Sequence, residues 1–456
     1  MAASNYPTEL FSSNLQFENE NKFGGKLSIA GCTAEKLVAE FGSPLFVIDQ
    51  DDFYLRTKAW KSALEAEFAD NNLYYAAKSF ISVEIAKWLK DLNVSLDVCS
   101  GGELLVALAA KFPAPNIEFH GNNKSESEIQ LAIESNVGVI VLDSLDEINR
   151  VSSIAKSLNK IQKVYLRLTP GVEVHTHEFI STAHEDVKFG FSIASGGAAD
   201  AIDRCMSIGN LELAGIHCHI GSQIFEVEGF ITAAKRLLEV LALFKSKYGR
   251  ELAELNIGGG YGIAYTLDEK AISPEAVIPV VAKIIKSECQ RLNISIPKIA
   301  IEPGRAIVGP TTTTIYKVGT TKDVTLADGS IRRYISVDGG MSDNIRPALY
   351  GATYSAFIAN RSSNEIAVKS RVVGKHCESG DVLISDIDLP KDLKVGDLLA
   401  IPSTGAYGRS MASNYNHIPR PAVVAVQNGS ARLILRRENE QDLLNLDVVQ
   451  APRQLS

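Results

Sequence analysis

Between residues 74 and 304 short apolar runs alternate with longer amphipathic ones, and no other feature restricts the fold so strongly. The apolar runs are YYAAK (74–78), SLDV (95–98), IEFHG (117–121), VGVIVLD (137–143), KVYLRL (163–168), LAGIHCH (213–219), LNIGGG (255–260) and KIAIEPG (298–304). Segments of helical period separate them, among them SVEIAKWLKDLN, GGELLVALAAKF, SESEIQLAIESN and AAKRLLEVLALFK. Ser273-Pro274 ahead of EAVIPVVAKIIK supplies an N-cap followed by proline at the first helical position. Most apolar runs are nearly continuous rather than alternating, as strands buried on both faces require. Eight such strands over about 230 residues, each followed by a helix, predict a (β/α)8 barrel.

After residue 312 the texture changes to strand-like pieces broken by Gly, Pro or Asp: TTTTIYKVG, RRYISVDGG, VVGKHCESGDVLI, GDLLAIPSTGAYG and VVAVQNGSARLILRR. Asn428-Gly429 between apolar arms is a strong hairpin signal. The expected organisation is an α/β chain of three segments. Residues 1–45, with one helix and one strand, join a C-terminal β domain; residues 46–311 form the barrel; residues 312–456 form that mainly antiparallel β domain.

A chain of 456 residues exceeds one ordinary domain of about 100–200, which agrees with that division. Its net charge of −8 argues against a nucleic-acid partner, because no cluster of Lys and Arg is available to neutralise phosphates. No run approaches the roughly 18 apolar residues of a membrane span. The polar, acidic N-terminus lacks the basic start and apolar core of a signal peptide. Six cysteines without CxxC spacing make neither a disulfide framework nor a zinc site. A cytoplasmic protein is expected.

Barrel chemistry sits at the C-terminal ends of the strands, which here read Lys78, Asp97, His120, Asp143, Arg167, His219, Gly258-Gly259-Gly260 and Glu302. A lone triple glycine is more often a tight turn than a binding site. After strand 7 of a barrel, however, its free amides suit an anion. Lys78 in an apolar setting is either a lysine that snorkels to solvent or a partly desolvated amine suited to a Schiff base with an aldehyde. An anion cradle, such a lysine and a carboxylate on the neighbouring strand together suggest pyridoxal phosphate, the carboxylate pairing with the pyridine nitrogen. His217 and His219, two apart on a strand, share a face and could seed a metal site, but no further ligand set stands out, so no metal is expected. HTH at 175–177 is treated with equal scepticism.

These motifs resemble a family. Lys78 in YYAAKS, GNNKS (121–125), HTHEFIST (175–182), HCHIGSQ (217–223), GGGYGI (258–263), EPGR (302–305), SDNIRPALYGA (342–352), CESGD (377–381) and GAYGRSMASNYN (405–416) are similar to the diaminopimelate decarboxylases. Those are fold-type III pyridoxal-phosphate enzymes related to the ornithine and arginine decarboxylases. The resemblance runs from about residue 25 to 430 in unbroken order, with no departure at a chemical position.

The resemblance implies that Lys78 forms the Schiff base and that His219 stacks on the ring. Ser222, Gly258, Gly259, Gly260 and the Glu302-Pro303-Gly304-Arg305 stretch would hold the cofactor. Glu302 would pair with the ring nitrogen, Tyr407 would contact the phosphate and Asp97 would line the site. It implies meso-diaminopimelate as substrate and L-lysine with CO2 as products. Arg305, Arg346, Tyr350 and Tyr407 would contact substrate, the two arginines and Tyr350 taking the distal carboxylate and Glu378 the distal ammonium. Arginine suits this because its planar fork binds a carboxylate bidentately. Cys377 would protonate the carbon that loses CO2, since a cysteine thiol keeps most of its protons at neutral pH. Cys32, Cys99, Cys205, Cys218 and Cys289 are read as inert buried thiols. A homodimer with shared active sites is also implied.

Alternatives remain at this point. A related decarboxylase of ornithine, arginine or a carboxylated polyamine would leave the Arg305, Arg346 and Tyr350 set without a purpose. A racemase would need a second base in place of CESGD. A non-catalytic homologue would have lost Lys78 or Cys377, and both are present.

Overall fold

The structure, a computed structural model, describes residues 9–172 and 188–448. The HTHEFIST stretch at 175–182 therefore lies outside the described residues. The chain divides into two units: Met1–Phe53, Ile263–Lys270 and Val308–Ser456 in one, Tyr54–Gly262 and Ala271–Ile307 in the other.

The second unit is built on parallel strands β1 (Asn71–Ala76), β2 (Ser95–Val98), β3 (Ile117–Phe119), β4 (Val139–Leu142), β5 (Gln162–Thr169), β6 (Leu211–His217), β7 (Glu254–Asn256) and β8 (Lys298–Ile301). Each pairs with the next, and β8 returns to β1, so the barrel closes. A short strand, Phe191–Ser192, adds to β5 outside the ring. Hydrophobes fill these strands because both faces are covered, one by helices and one by the barrel interior.

Serine caps set where several helices begin. Ser82, Ser100, Ser125, Ser144 and Ser273 each accept a hydrogen bond from a first-turn amide. Glutamates then tie the loops at the functional end. Glu103 accepts from the Cys99 amide at 2.7 Å, Glu128 from Gly101 at 2.7 Å and Glu147 from Asp143 at 2.8 Å. Lys124 of the GNNKS motif is buried, pairs with Glu147 at 2.9 Å and donates to the Gly121 and Val141 carbonyls at 2.7 Å each. That lysine holds the loop after β3 in place.

The first unit carries a mixed sheet in which antiparallel pairs predominate. Parallel pairs join Ile331–Val337 to Ala367–Val373, Phe357–Ile358 to Gly24–Ile29, and Ala422–Gln427 to Leu45–Asp49. Asn428 and Gly429 both have positive φ, 49° and 76°, which gives the hairpin turn between Ala422–Gln427 and Ser430–Leu435. The boundaries expected at 45 and 311 fall at Phe53 and Ile307, and Ile263–Lys270 belongs to the β unit. Backbone pairing explains the first shift: Leu45–Asp49 lies between Ala422–Gln427 and Thr312–Thr325, so the sheet holds the chain past residue 45. VVGKHCESGDVLI is not one strand; CESGD connects Ala367–Val373 to Val382–Pro390.

Candidate active site

Lys78 does not end β1, which stops at Ala76; it stands in the turn beyond, with its side chain 35% exposed. Its Nζ lies 3.7 Å from Asp97 Oδ2. Burial raises the Asp97 carboxyl to about 7, against the pull of Lys78, so it titrates near neutrality.

His217 and His219 also separate. The strand β6 ends at His217, which points into the barrel, whereas His219 is half-buried two residues beyond. The two imidazoles therefore do not share a strand face, because the strand ends at His217. Burial and the cations Lys78 and Arg167 hold His219 well below the ordinary imidazole value, so its ring is neutral. The Gly259 amide faces His219 Nδ1 at 3.4 Å.

Glu302 follows β8 and is buried in the barrel. Burial alone would favour its neutral form. His217, His120 and Lys78 together outweigh that and hold its carboxyl well below the usual range. His217 Nε2 lies 3.0 Å and His120 Nε2 3.4 Å from Glu302 Oε1, and Asn256 Nδ2 donates to the same oxygen at 2.7 Å. Burial lowers both imidazoles, and the Glu302 carboxylate beside them pulls the other way. The ligating atoms of His120, His217 and Glu302 lie within 4.8 Å of one another, a spacing that could admit an ion.

Glycine is obligatory in the turn after β7. A Cβ on Gly259 would meet the Glu302 carbonyl oxygen at 2.1 Å, and one on Gly260, at φ 107°, the Gly221 oxygen at 2.2 Å. The close approach lays the turn against Gly221, next in sequence to Ser222. Arg305, just past Pro303 and Gly304, donates through Nη2 to Ser222 Oγ at 2.8 Å. The barrel unit thus gathers Lys78, Asp97, His219, Ser222, the three glycines, Glu302 and Arg305. This donor set fits pyridoxal phosphate: an amine for the aldehyde, hydroxyl, guanidinium and glycine amides for the phosphate, and a buried carboxylate for the ring nitrogen.

The remaining residues belong to the β unit. Arg346 opens the short helix Arg346–Tyr350, is buried, donates to the Tyr354 hydroxyl and lies over the Tyr265 ring at 4.4 Å. Tyr350 closes that helix half-buried. Tyr407 has a left-handed φ of 60°, an uncommon conformation for a bulky residue and one that marks functional sites. Cys377 and Glu378 are exposed on their loop. The loop itself is pinned: Asp381 accepts from the His376 amide at 2.8 Å and the Met341 amide at 2.6 Å, and pairs with His376 Nδ1 at 2.9 Å. All six cysteines are free; Cys99 is half-buried rather than buried, and burial still pushes its thiol well up.

Sequence reasoning did not single out Glu118, Asn256, Tyr265, Tyr354 or Asp381. For Glu118 a signal existed, a charged residue between Ile117 and Phe119 in an otherwise apolar strand, whereas Asn256 shares its short strand with the equally polar Glu254.

A closed parallel barrel with this donor set, joined in one chain to a mixed β unit, defines a fold-type III pyridoxal-phosphate-dependent decarboxylase. The family described as "Pyridoxal-dependent decarboxylase, pyridoxal binding domain" matches residues 50–309. The chain is 49% identical over 431 residues to the diaminopimelate decarboxylase of Mycobacterium tuberculosis, covering 93% of this chain and 95% of that protein. It is 45% identical over 424 residues to the one from Bacillus subtilis, at 93% and 95% coverage. The diaminopimelate decarboxylase of M. jannaschii, solved with L-lysine, superimposes with a TM-score of 0.89 at 31% identity over 97% of this chain and 99% of that one. The chain belongs to the diaminopimelate decarboxylase family. Among the described residues no helix is long and apolar enough to cross a membrane.

Proposed function

We propose that this protein decarboxylates meso-2,6-diaminopimelate to L-lysine and CO2, with the cofactor held at the barrel mouth by Lys78, Asp97, His219, Ser222, Gly258–Gly260, Glu302–Arg305 and Tyr407. The observation that carries the assignment is the buried Glu302 carboxylate at the end of the barrel, which accepts from Asn256 Nδ2 at 2.7 Å and lies 3.0 Å from His217 Nε2 and 3.4 Å from His120 Nε2. Such a carboxylate is completed by a protonated ring nitrogen.

Lys78 would hold the cofactor's aldehyde through its amine. Asp97, titrating near neutrality 3.7 Å away, would take or give a proton at that amine. Glu302 would hold the proton on the ring nitrogen. His219, whose imidazole is neutral, would face the ring without adding charge to oppose that proton. Pyridoxal phosphate, when bound, supplies the sink for the electron pair left as CO2 departs.

Arg305, Arg346 and Tyr350 bind the distal carboxylate of the substrate, and Glu378 binds the distal ammonium. Cys377 delivers the proton to the carbon. Cys377 and Glu378 stand exposed in the single chain, which supports a homodimer in which they serve the barrel of the partner. Six free cysteines favour the cytoplasm.

The test is a product assay on the purified enzyme, following CO2 and L-lysine from meso-diaminopimelate alongside the absorbance of bound cofactor. Cofactor binding without lysine formation would overturn the assignment.

A further inference from the structure

We propose that Asn256 and Glu118 are positioning residues for Glu302, and that Asn256 couples the ring-nitrogen carboxylate to the phosphate-binding glycine turn. The inference rests on the reading that Glu302 faces the cofactor's ring nitrogen.

Asn256 ends β7 and is fully buried. Its Nδ2 donates to Glu302 Oε1 at 2.7 Å and to both oxygens of Glu118, at 3.0 and 3.1 Å. Its Oδ1 accepts from the Gly258 amide at 2.9 Å. The amide is therefore oriented in one sense only, because a flip would set oxygen against two carboxyl groups and nitrogen against an N–H. One side chain thereby spaces the first glycine of the turn from Glu302. Phosphate and ring nitrogen lie at opposite ends of the cofactor, so a fixed spacing between their binding groups serves both at once.

Glu118, on β3, completes the layer. Its carboxyl faces Asn256, His120 at 3.2 Å and Glu302, with Asp97 nearby. Two carboxyl groups this close and this deep cannot both ionise. Glu118 and Glu302 share one buried donor, Asn256 Nδ2, and Glu302 is the member of the pair read as facing the cofactor, so Glu118 is the one that stays neutral. The pair then presents one negative charge to one protonated nitrogen. Neighbours converge on Glu302 Oε1, which assigns Oε2 to the cofactor.

The test compares apoenzymes of wild type, Asn256→Ala, Asn256→Asp, Glu118→Gln and Glu302→Gln by fluorescence titration with pyridoxal phosphate. Thermal melting of each apoenzyme runs alongside, with kcat and KM for the reconstituted enzymes. Asn256→Ala should weaken cofactor binding roughly tenfold to a hundredfold and lower kcat, with KM changed less than about threefold. Asn256→Asp keeps the shape but removes the donor, and should be at least as impaired; it also decides the matter if Asn256→Ala does not fold. Glu118→Gln mimics the neutral acid and should bind the cofactor within about threefold of wild type. Wild-type cofactor affinity and kcat in both Asn256 variants, whatever their melting temperature, would overturn the positioning role. A Glu118→Gln loss as large as that of Asn256→Ala would overturn the neutral acid. If Glu302→Gln binds and turns over normally, the underlying reading of Glu302 fails instead, and the inference falls with it.

Discussion

The barrel mouth and the CESGD loop hold their functional groups in opposite ways. In the barrel, Glu302 is buried and contacted by Asn256, His217 and His120, residues contributed by or adjoining β7, β6 and β3. On the loop, Cys377 and Glu378 are exposed, and order comes from Asp381 behind them. Burial suits a group whose charge must be set in advance for a cofactor that stays. Exposure suits groups that must meet a substrate arriving and a product leaving. The barrel should therefore govern cofactor retention and the loop turnover alone.

The largest effect tests the barrel side. Lys78→Ala should lower turnover by at least about 10⁴-fold and abolish the covalent cofactor bond at the same time. A borohydride-reducible bond at another lysine in the purified variant would break the assignment.

Specificity comes next, because it tests whether Arg305 of the barrel and Arg346 of the β unit are matched to a diacid. Buried cations that face a ligand without the partner carboxylate are left unpaired, which can cost several kcal/mol. L-Ornithine and L-lysine should be decarboxylated with kcat/KM at least about a thousandfold below that of meso-diaminopimelate. Comparable values for L-ornithine would assign the protein to the polyamine branch.

Asp381→Asn sharpens the contrast itself. It weakens a buried carboxylate that accepts from two backbone amides and pairs with His376. Turnover should fall roughly tenfold while cofactor affinity stays at the wild-type value. A parallel loss of cofactor in equilibrium dialysis would show that the two regions do not divide the work in this way.

How far the sequence announced these regions follows from the range of the interactions. The barrel was legible because strand and helix periods are local, and the Asn428-Gly429 hairpin because its turn demands two positive φ values. Lys78, Glu302, Cys377 and Arg346 stand out in the sequence only through motifs that resemble the family's. The contacts of Glu118 and Asn256 were not, since they depend on barrel closure bringing β3, β7 and β8 round one interior. A single sequence marks Glu118 only as a polar intruder in an apolar strand, and Asn256 not even as that. Ile263–Lys270 gave no sign of belonging to the β unit, because that membership rests on contacts with distant residues, such as Arg346 against Tyr265.

The smallest expected change is the one that decides where the two regions meet. Lys78→Ala and Cys377→Ala homodimers should each be nearly inactive, the first for want of the cofactor's lysine and the second for want of the proton donor. When equal amounts are dissociated and randomly reassociated, half of the dimers are mixed. If Cys377 of the partner subunit serves each barrel, one site of a mixed dimer carries both lesions and the other carries neither. Activity should then recover to about a quarter of wild type per site, by symmetry alone. If each site lies within one subunit, every site of a mixed dimer carries one lesion and mixing restores nothing beyond the parental rates. With subunit exchange established by mass-labelled chains, a flat result would refute the shared site and require Cys377 to act on the barrel of its own chain.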